Sequence, residues 1–338
     1  MLEGVTRVGG DCPKRMRFGP CGGVRPDLGC ELGTGPCPFV GGPLVRWDGP
    51  PVRSVLPEAL TGGGPVVLAD LTSPPYDARA LARHARILAG ACDAVLIGQY
   101  HDAPDFPPSQ LAALVREAGG RAWVTLTCRD RNRVVLEQDV AGLAAAGADA
   151  ALCVTGDARA PGVRPDVTQV FDLDGTRLAG LAARAGLAAV VPEAPAAPPV
   201  ELRPARLAEK QRAGAGAAVL NHAGSPARVA RFVERARGHG ATLPVLAGVA
   251  VFTDEPGART LQAFPGLELD PGTVERVLGA PDPVEAGIAA AVDEALALLG
   301  VDGVAGVNLS GRGRSGDDTA ATGIKAEIAR RIRSSAGG

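Results

Sequence analysis

Eight short apolar, β-branched runs, at residues 65–71, 93–98, 122–127, 149–155, 187–191, 217–221, 243–249 and 304–309, recur through most of this 338-residue chain. Helical periods lie between them, at 78–90, 132–146, 203–213, 225–237 and 284–299, with a last one at 318–333. A strand covered on both faces has no polar side to alternate, so continuous apolar runs of this length read as buried parallel strands. Eight of them in alternation with helices predict a closed (β/α)8 barrel of the α/β class. An open doubly wound sheet is the alternative, but no G-x-G-x-x-G turn follows the first strand. At 46% hydrophobic residues the chain suffices for one such barrel and a small appendage. The barrel is expected over 64–338, after a linker at 46–63.

The appendage is a glycine-, proline- and cysteine-rich arm at residues 1–45, where no apolar period is long enough to build a core. Cys12, Cys21, Cys30 and Cys37 recur inside it, in Cys12-Pro13-Lys14, Gly19-Pro20-Cys21-Gly22-Gly23, Cys30-Glu31 and Cys37-Pro38-Phe39. Four thiols in a core-poor segment point to a metal that holds the arm together, zinc or an iron–sulfur cluster. The spacing lacks paired C-x2-C knuckles, so free thiols in a glycine-rich arm remain the alternative. Cys92, Cys128 and Cys153 stand among apolar neighbours and read as small buried hydrophobes.

The formal net charge of −2 offers no field for nucleic acid or an anionic membrane. No signal-like N-terminus and no apolar run of the roughly 20 residues that span a bilayer are seen, so a cytoplasmic, soluble protein is expected. Nearly all basic residues are arginine; Lys14, Lys210 and Lys325 are the only lysines.

Residues just past the strands of a parallel barrel line one mouth, where chemistry is usually built. Here they are Asp70 and Thr72, Gln99 and His101, Thr127, Arg129 and Asp130, Thr155 and Asp157, Glu193, Asn221 and His222, and Asn308 and Ser310. Such a ring is too polar for ordinary packing, although Asp130 also suits a helix N-terminus and Asp157 a turn. No Ser-His-Asp set, H-E-x-x-H or Walker loop is present.

In order along the chain, Asp70-Leu71-Thr72-Ser73-Pro74-Pro75, Thr127-Cys128-Arg129-Asp130-Arg131-Asn132-Arg133, Thr155-Gly156-Asp157, Val170-Phe171-Asp172-Leu173-Asp174, Lys210 and Pro244-Val245-Leu246-Ala247-Gly248 resemble the methylenetetrahydrofolate reductases. The arm resembles the small module called the methylenetetrahydrofolate reductase C-terminal domain, with its CPK, GPCGG and CE elements, placed here in front of the barrel.

The resemblance implies a TIM barrel holding FAD, which passes a hydride to the methylene carbon of 5,10-methylenetetrahydrofolate to give 5-methyltetrahydrofolate. It implies Asp70 as the acid that protonates the departing nitrogen, and Asp157 as the carboxylate beside flavin and pterin. An apolar setting for Asp70 would help it hold a proton. Thr127, Arg129, Asp130, Thr155, Gly156, Asp172 and Lys210 would hold the cofactor, and Asn221, Gln99 and His101 the folate or pterin. The family glutamate is Asp70 here, one methylene shorter, with Ser73 inserted before the prolines, and the usual Thr-Gln of strand six is Leu220-Asn221. These departures motivate two alternatives: a folate-binding or partner-dependent protein that has lost hydride transfer, or a reductase of a related C=N substrate. An electron-donor protein and a homo-oligomer are the expected partners.

Overall fold

A computed structural model describes residues 12–160, 162–264 and 266–336; the first eleven residues of the arm lie outside them. Eight parallel strands follow one another around a closed barrel in sequence order. The first half runs β1 (Val66–Leu71), α1 (Ala78–Ala89), β2 (Ala94–Ile97), α2 (Pro108–Glu117), β3 (Ala122–Thr127), α3 (Arg133–Ala145), β4 (Ala150–Val154) and α4 (Gly175–Arg184). The second runs β5 (Ala189–Glu193), α5 (Arg203–Arg212), β6 (Ala217–Leu220), α6 (Pro226–Gly238), β7 (Val245–Phe252), α7 (Glu255–Gln262), α8 (Pro271–Leu278), α9 (Pro283–Leu299), β8 (Val304–Gly313) and α10 (Asp318–Ala336). Closure comes from β1 on β8, with Leu68 opposite Asn308. The expected strands are all found, several shifted by a few residues. Between β7 and β8 the chain makes three helices, because the eight-residue α7 and α8 precede the expected α9.

Strand periodicity of two divides the apolar side chains into two cores. Val66 and Leu68 point into the barrel with Leu96, Trp123, Leu152, Val190, Val219 and Leu246. Val67 and Ala69 point outward, under α-helical residues such as Leu81, Leu136 and Leu178. Helix starts are fixed locally: Asp77, Asn132, Asp174, Ser225 and Asp282 each accept a backbone N–H of the first turn.

The segment expected as a linker closes the barrel floor. Val55, Ala59 and Leu60 pack on the inner core. Asp149 fastens them, accepting from the amides of Glu58 (2.6 Å) and Ala59 (3.3 Å) and from the buried Trp123 indole (2.7 Å).

The arm departs from expectation in two ways. It has a small apolar cluster of its own, Met16, Val24, Cys37 and Phe39 with Cys12, Cys21 and Val40 against it. It is also pinned to the barrel by polar contacts: the Lys14 ammonium donates to the Gly156 carbonyl (2.5 Å), and Glu31 accepts from the Ala158 amide (2.9 Å). Arg203 of α5 donates to the carbonyls of Pro20 (3.3 Å) and Cys21 (2.9 Å). Packing and barrel contacts thus take part in organising this segment.

Candidate active site

The arm docks at the ends of β4 and β5 and leaves two adjoining cavities at the barrel mouth, of about 310 and 590 Å³. Gln99, Arg129, Asp157, Asn221 and Phe264 line both.

The larger, outer cavity has Asp70 in its wall. Its carboxylate accepts from the Asn308 amide (3.0 Å) and the Ser310 hydroxyl (2.9 Å), and its backbone carbonyl accepts from Lys325 (2.6 Å). The setting of this carboxyl is therefore a pair of polar donors from β8, not the apolar wall expected. Ser73 Oγ and Asn308 Oδ1 are buried nearby in the chain's own fabric without a partner among the described residues. Tyr100 donates its hydroxyl to the Ser73 carbonyl, and His101 donates Nε2–H to the carbonyl of Ala158 (3.0 Å). The Asp157 side chain is exposed at the mouth.

Arg129 braces the boundary between the cavities. Its guanidinium donates to Asp130 (3.0 Å) and to the carbonyls of Tyr100 (3.1 Å) and Asp157 (3.4 Å). Asp130 also receives Arg159 (2.7 Å). Burial alone would raise the Asp130 carboxyl, but Arg159 and Arg129 hold it below the usual range. Asp130, expected to touch cofactor, instead lines neither cavity and locks two arginines.

The inner cavity is walled by the arm and α5. Glu193 is buried at the end of β5, paired with Lys210 (2.7 Å) and close to Arg203 (3.6 Å). Burial pushes its carboxyl up, yet Lys210, Arg206 and Arg203 together hold it at about 2. Lys14 pairs with Glu31 (2.5 Å), which accepts from the Cys21 thiol (3.2 Å). All three lysines of the chain are buried, 2%, 7% and 2% exposed for Lys14, Lys210 and Lys325. Each donates to a carbonyl at a strand end: Gly156 after β4, Pro192 in β5 and Asp70 in β1. Scarcity of lysine was the sequence signal for these positions, while nothing marked Arg203 or Arg206.

Gly156 is required by a close approach. Its φ is +92°, and an added Cβ would lie 2.1 Å from Thr127 Oγ1. Gly156→Ala is expected to lower stability by about 1–3 kcal/mol, read by denaturant unfolding.

Most of the expected mouth residues do converge: Asp70, Gln99, His101, Thr127, Arg129, Thr155, Gly156, Asp157, Lys210 and Asn221 line one or both cavities. Asp172 does not; it accepts from the Arg133 amide (2.8 Å) and faces Arg15 (3.5 Å). His222 also turns away, to Glu294 (2.5 Å) and the Glu268 carbonyl, so it ties β6 to the outer helices.

The groups that the resemblance assigns to FAD are mostly engaged within the protein. Thr155 Oγ1 accepts from the Gly175 amide (2.9 Å) and meets Met16 of the arm (3.5 Å), the Gly156 carbonyl receives Lys14, and Lys210 is held by Glu193. With the arm docked, these residues do not fit FAD held in that way. Of the four arm cysteines, Cys12, Cys30 and Cys37 lie near enough to act on one another's thiols, and Cys21 pairs with Glu31. Burial raises the thiols of Cys12 and Cys37, and Cys30 lies near enough to add to both. Cys21 is drawn instead to Glu31 and pushed up by burial to about 12. Among the described residues no three Cys, His, Asp or Glu side chains are arranged to hold a metal ion.

No protein-family model matches the sequence, and no curated protein matches it. Several solved structures are similar to this chain at low identity. A mutant tryptophan synthase alpha-subunit from Pyrococcus furiosus is 13% identical with a TM-score of 0.48, over 80% of this chain and 98% of that one. A 2,3-dimethylmalate lyase of the PEP mutase/isocitrate lyase superfamily is 12% identical with a TM-score of 0.45, over 74% and 76% of the two chains. An oxaloacetate acetylhydrolase is 14% identical with a TM-score of 0.45, over 73% and 75%. Among the described residues no helix is long and apolar enough to cross a membrane.

Proposed function

We propose that this chain is an oxidoreductase of a folate one-carbon unit, converting 5,10-methylenetetrahydrofolate to 5-methyltetrahydrofolate at the barrel mouth. The observation that carries this reading is the set of side chains around the outer cavity: Asp70, held from β8 by Asn308 and Ser310, together with Gln99, Asp157 and Asn221. Opening the five-membered ring leaves an electron pair on the departing nitrogen, and in this reading Asp70, one of four carboxyls in the cavity wall, carries the proton to it, with the Ser310 hydroxyl able to accept from the protonated form. Asp157 offers an acceptor for pterin N–H groups, and the Asn221 amide both donates and accepts. A cavity of about 590 Å³ lies within the usual range of small-molecule sites.

Because the docked arm takes up the contacts expected of FAD, the reductant in this reading is a smaller, separately bound molecule or a group carried by a partner protein. The same feature favours a second reading, a folate-binding protein whose hydride transfer belongs to a partner. Oxygen-free incubation of the full chain with methylenetetrahydrofolate and reduced riboflavin 5′-phosphate, reduced deazaflavin or NADH separates them, with product followed by chromatography. Formation of methyltetrahydrofolate supports the reductase. Folate binding without turnover supports the second reading, and absence of folate binding removes both.

A further inference from the structure

Of the three buried lysines, two meet a carboxylate and one does not. Lys14 pairs with Glu31 and Lys210 with Glu193, whereas Lys325 of α10 makes no ion pair among the described residues. Its hydrogen bond there runs to the backbone carbonyl of Asp70, at 2.6 Å. Lys325 lines neither cavity, so it does not touch a ligand held in them. Burial pushes its ammonium down, Asp70, Cys92 and Asp318 draw it up, and Arg312 opposes them. The charged and titratable groups around it are therefore Asp70 of β1, Cys92 after α1, Asp318 of its own helix and Arg312 of β8. His84 of α1 grips the same strand end: Nδ1–H donates to the Thr72 carbonyl (3.2 Å) and Nε2 accepts from the Thr319 hydroxyl (3.1 Å), the tautomer this pairing requires. Two outer helices thus hold the end of β1 by its carbonyls, while Asn308 and Ser310 of β8 hold the Asp70 carboxylate. Because Nζ sits on the carbonyl of the same residue, covalent geometry puts it at most about 7 Å from that carboxylate. A buried charge at such a distance is only weakly screened.

We propose that Lys325 is a positioning residue for Asp70: seated on the Asp70 carbonyl, it fixes the end of β1 and sets a positive charge behind the carboxyl. The inference rests on the reading of Asp70 as proton donor to the departing nitrogen. In that step the O–H bond of the carboxyl breaks and an N–H bond forms, while the electron pair of the opening C–N bond passes to the nitrogen. Negative charge therefore grows on the carboxyl as the transition state is reached. The Asn308 amide and the Ser310 hydroxyl donate to that charge, and a fixed ammonium behind it acts in the same direction without reorganising. Packing alone does not call for a lysine here. An ammonium buried on a carbonyl is unfavourable, and a hydrophobic side chain of similar volume would serve stability better.

Turnover of methylenetetrahydrofolate by the full chain across a range of pH, with folate affinity measured on the same samples, tests it. Lys325→Met is expected to lower kcat by about tenfold or more at unchanged folate Kd. It should also move the alkaline limb of the kcat profile to higher pH by about one unit. The sign follows from the charge: removing a cation disfavours the carboxylate form beside it, so the protonated form persists to higher pH. Lys325→Gln keeps a donor for the carbonyl without the charge and is expected to shift the limb in the same direction. If Lys325→Met fails to fold, Lys325→Gln is read in its place. His84→Gln disturbs the same strand end and is expected to leave the limb where it is, as a merely structural role for Lys325 would in every variant. Wild-type turnover with an unmoved limb in the Lys325 variants overturns this proposal alone, as does a limb that persists in Asp70→Asn. A wild type that forms no methyltetrahydrofolate removes the acid role of Asp70, and this proposal with it.

Discussion

Asp70→Asn is expected to slow methylenetetrahydrofolate turnover by about 100-fold or more while leaving the fold intact. The substitution removes the proton that the departing nitrogen requires; its one amide oxygen can keep the Asn308 contact, while its NH2 group donates to the Ser310 hydroxyl, which accepts as well as donates. Lys325 is unaffected, because it binds the backbone carbonyl of Asp70. Turnover and folate affinity measured on the same sample check this. A loss of turnover at unchanged affinity assigns Asp70 to the chemical step, and normal turnover removes it from the mechanism.

Glu193→Gln is expected to have the largest effect on stability, a loss of about 3–5 kcal/mol in denaturant unfolding. It leaves Lys210, Arg203 and Arg206 buried without their carboxylate. The pH dependence has a definite sign. The Glu193 carboxyl is held at about 2 against an ordinary 4.5, so its contribution is complete above 4.5 and is lost as pH falls through 2. A shift of that size corresponds to about 3 kcal/mol. Wild type should therefore lose stability between pH 4.5 and 2 more steeply than Glu193→Gln. Parallel acid curves, or a loss below about 1 kcal/mol, would show that the cluster is open to solvent.

The barrel was legible because eight buried strands impose continuous apolar runs, and the residues after them are placed by the same rule. Asp70, Gln99, Thr127, Asp157 and Asn221 reach the cavities because a parallel barrel sends every strand end to one face. What those side chains bind to within the protein was not legible. Asp130 could be placed near Arg129 by adjacency, but its second arginine, Arg159, comes from another loop. Asp172 and Lys210 were matched to a cofactor by motif, and the fold gives them to Arg133, Arg15 and Glu193.

The arm shows most clearly where local pattern ends. Its composition indicated a segment unable to fold alone, and four cysteines suggested a metal. The contacts that hold it join residues more than a hundred positions apart: Lys14 with Gly156, Glu31 with Ala158, and Arg203 with Pro20 and Cys21. No periodicity records such pairs, because ion pairs and carbonyl contacts carry no repeat along the chain. Sequence by itself determined the strand order, the apolar layers and the polar ring of the mouth, since each follows from spacing along one element. Only the tertiary structure decided that the arm covers that mouth and that Arg206 is buried beneath it without a partner among the described residues, because both depend on how distant segments share a limited space and an uneven charge.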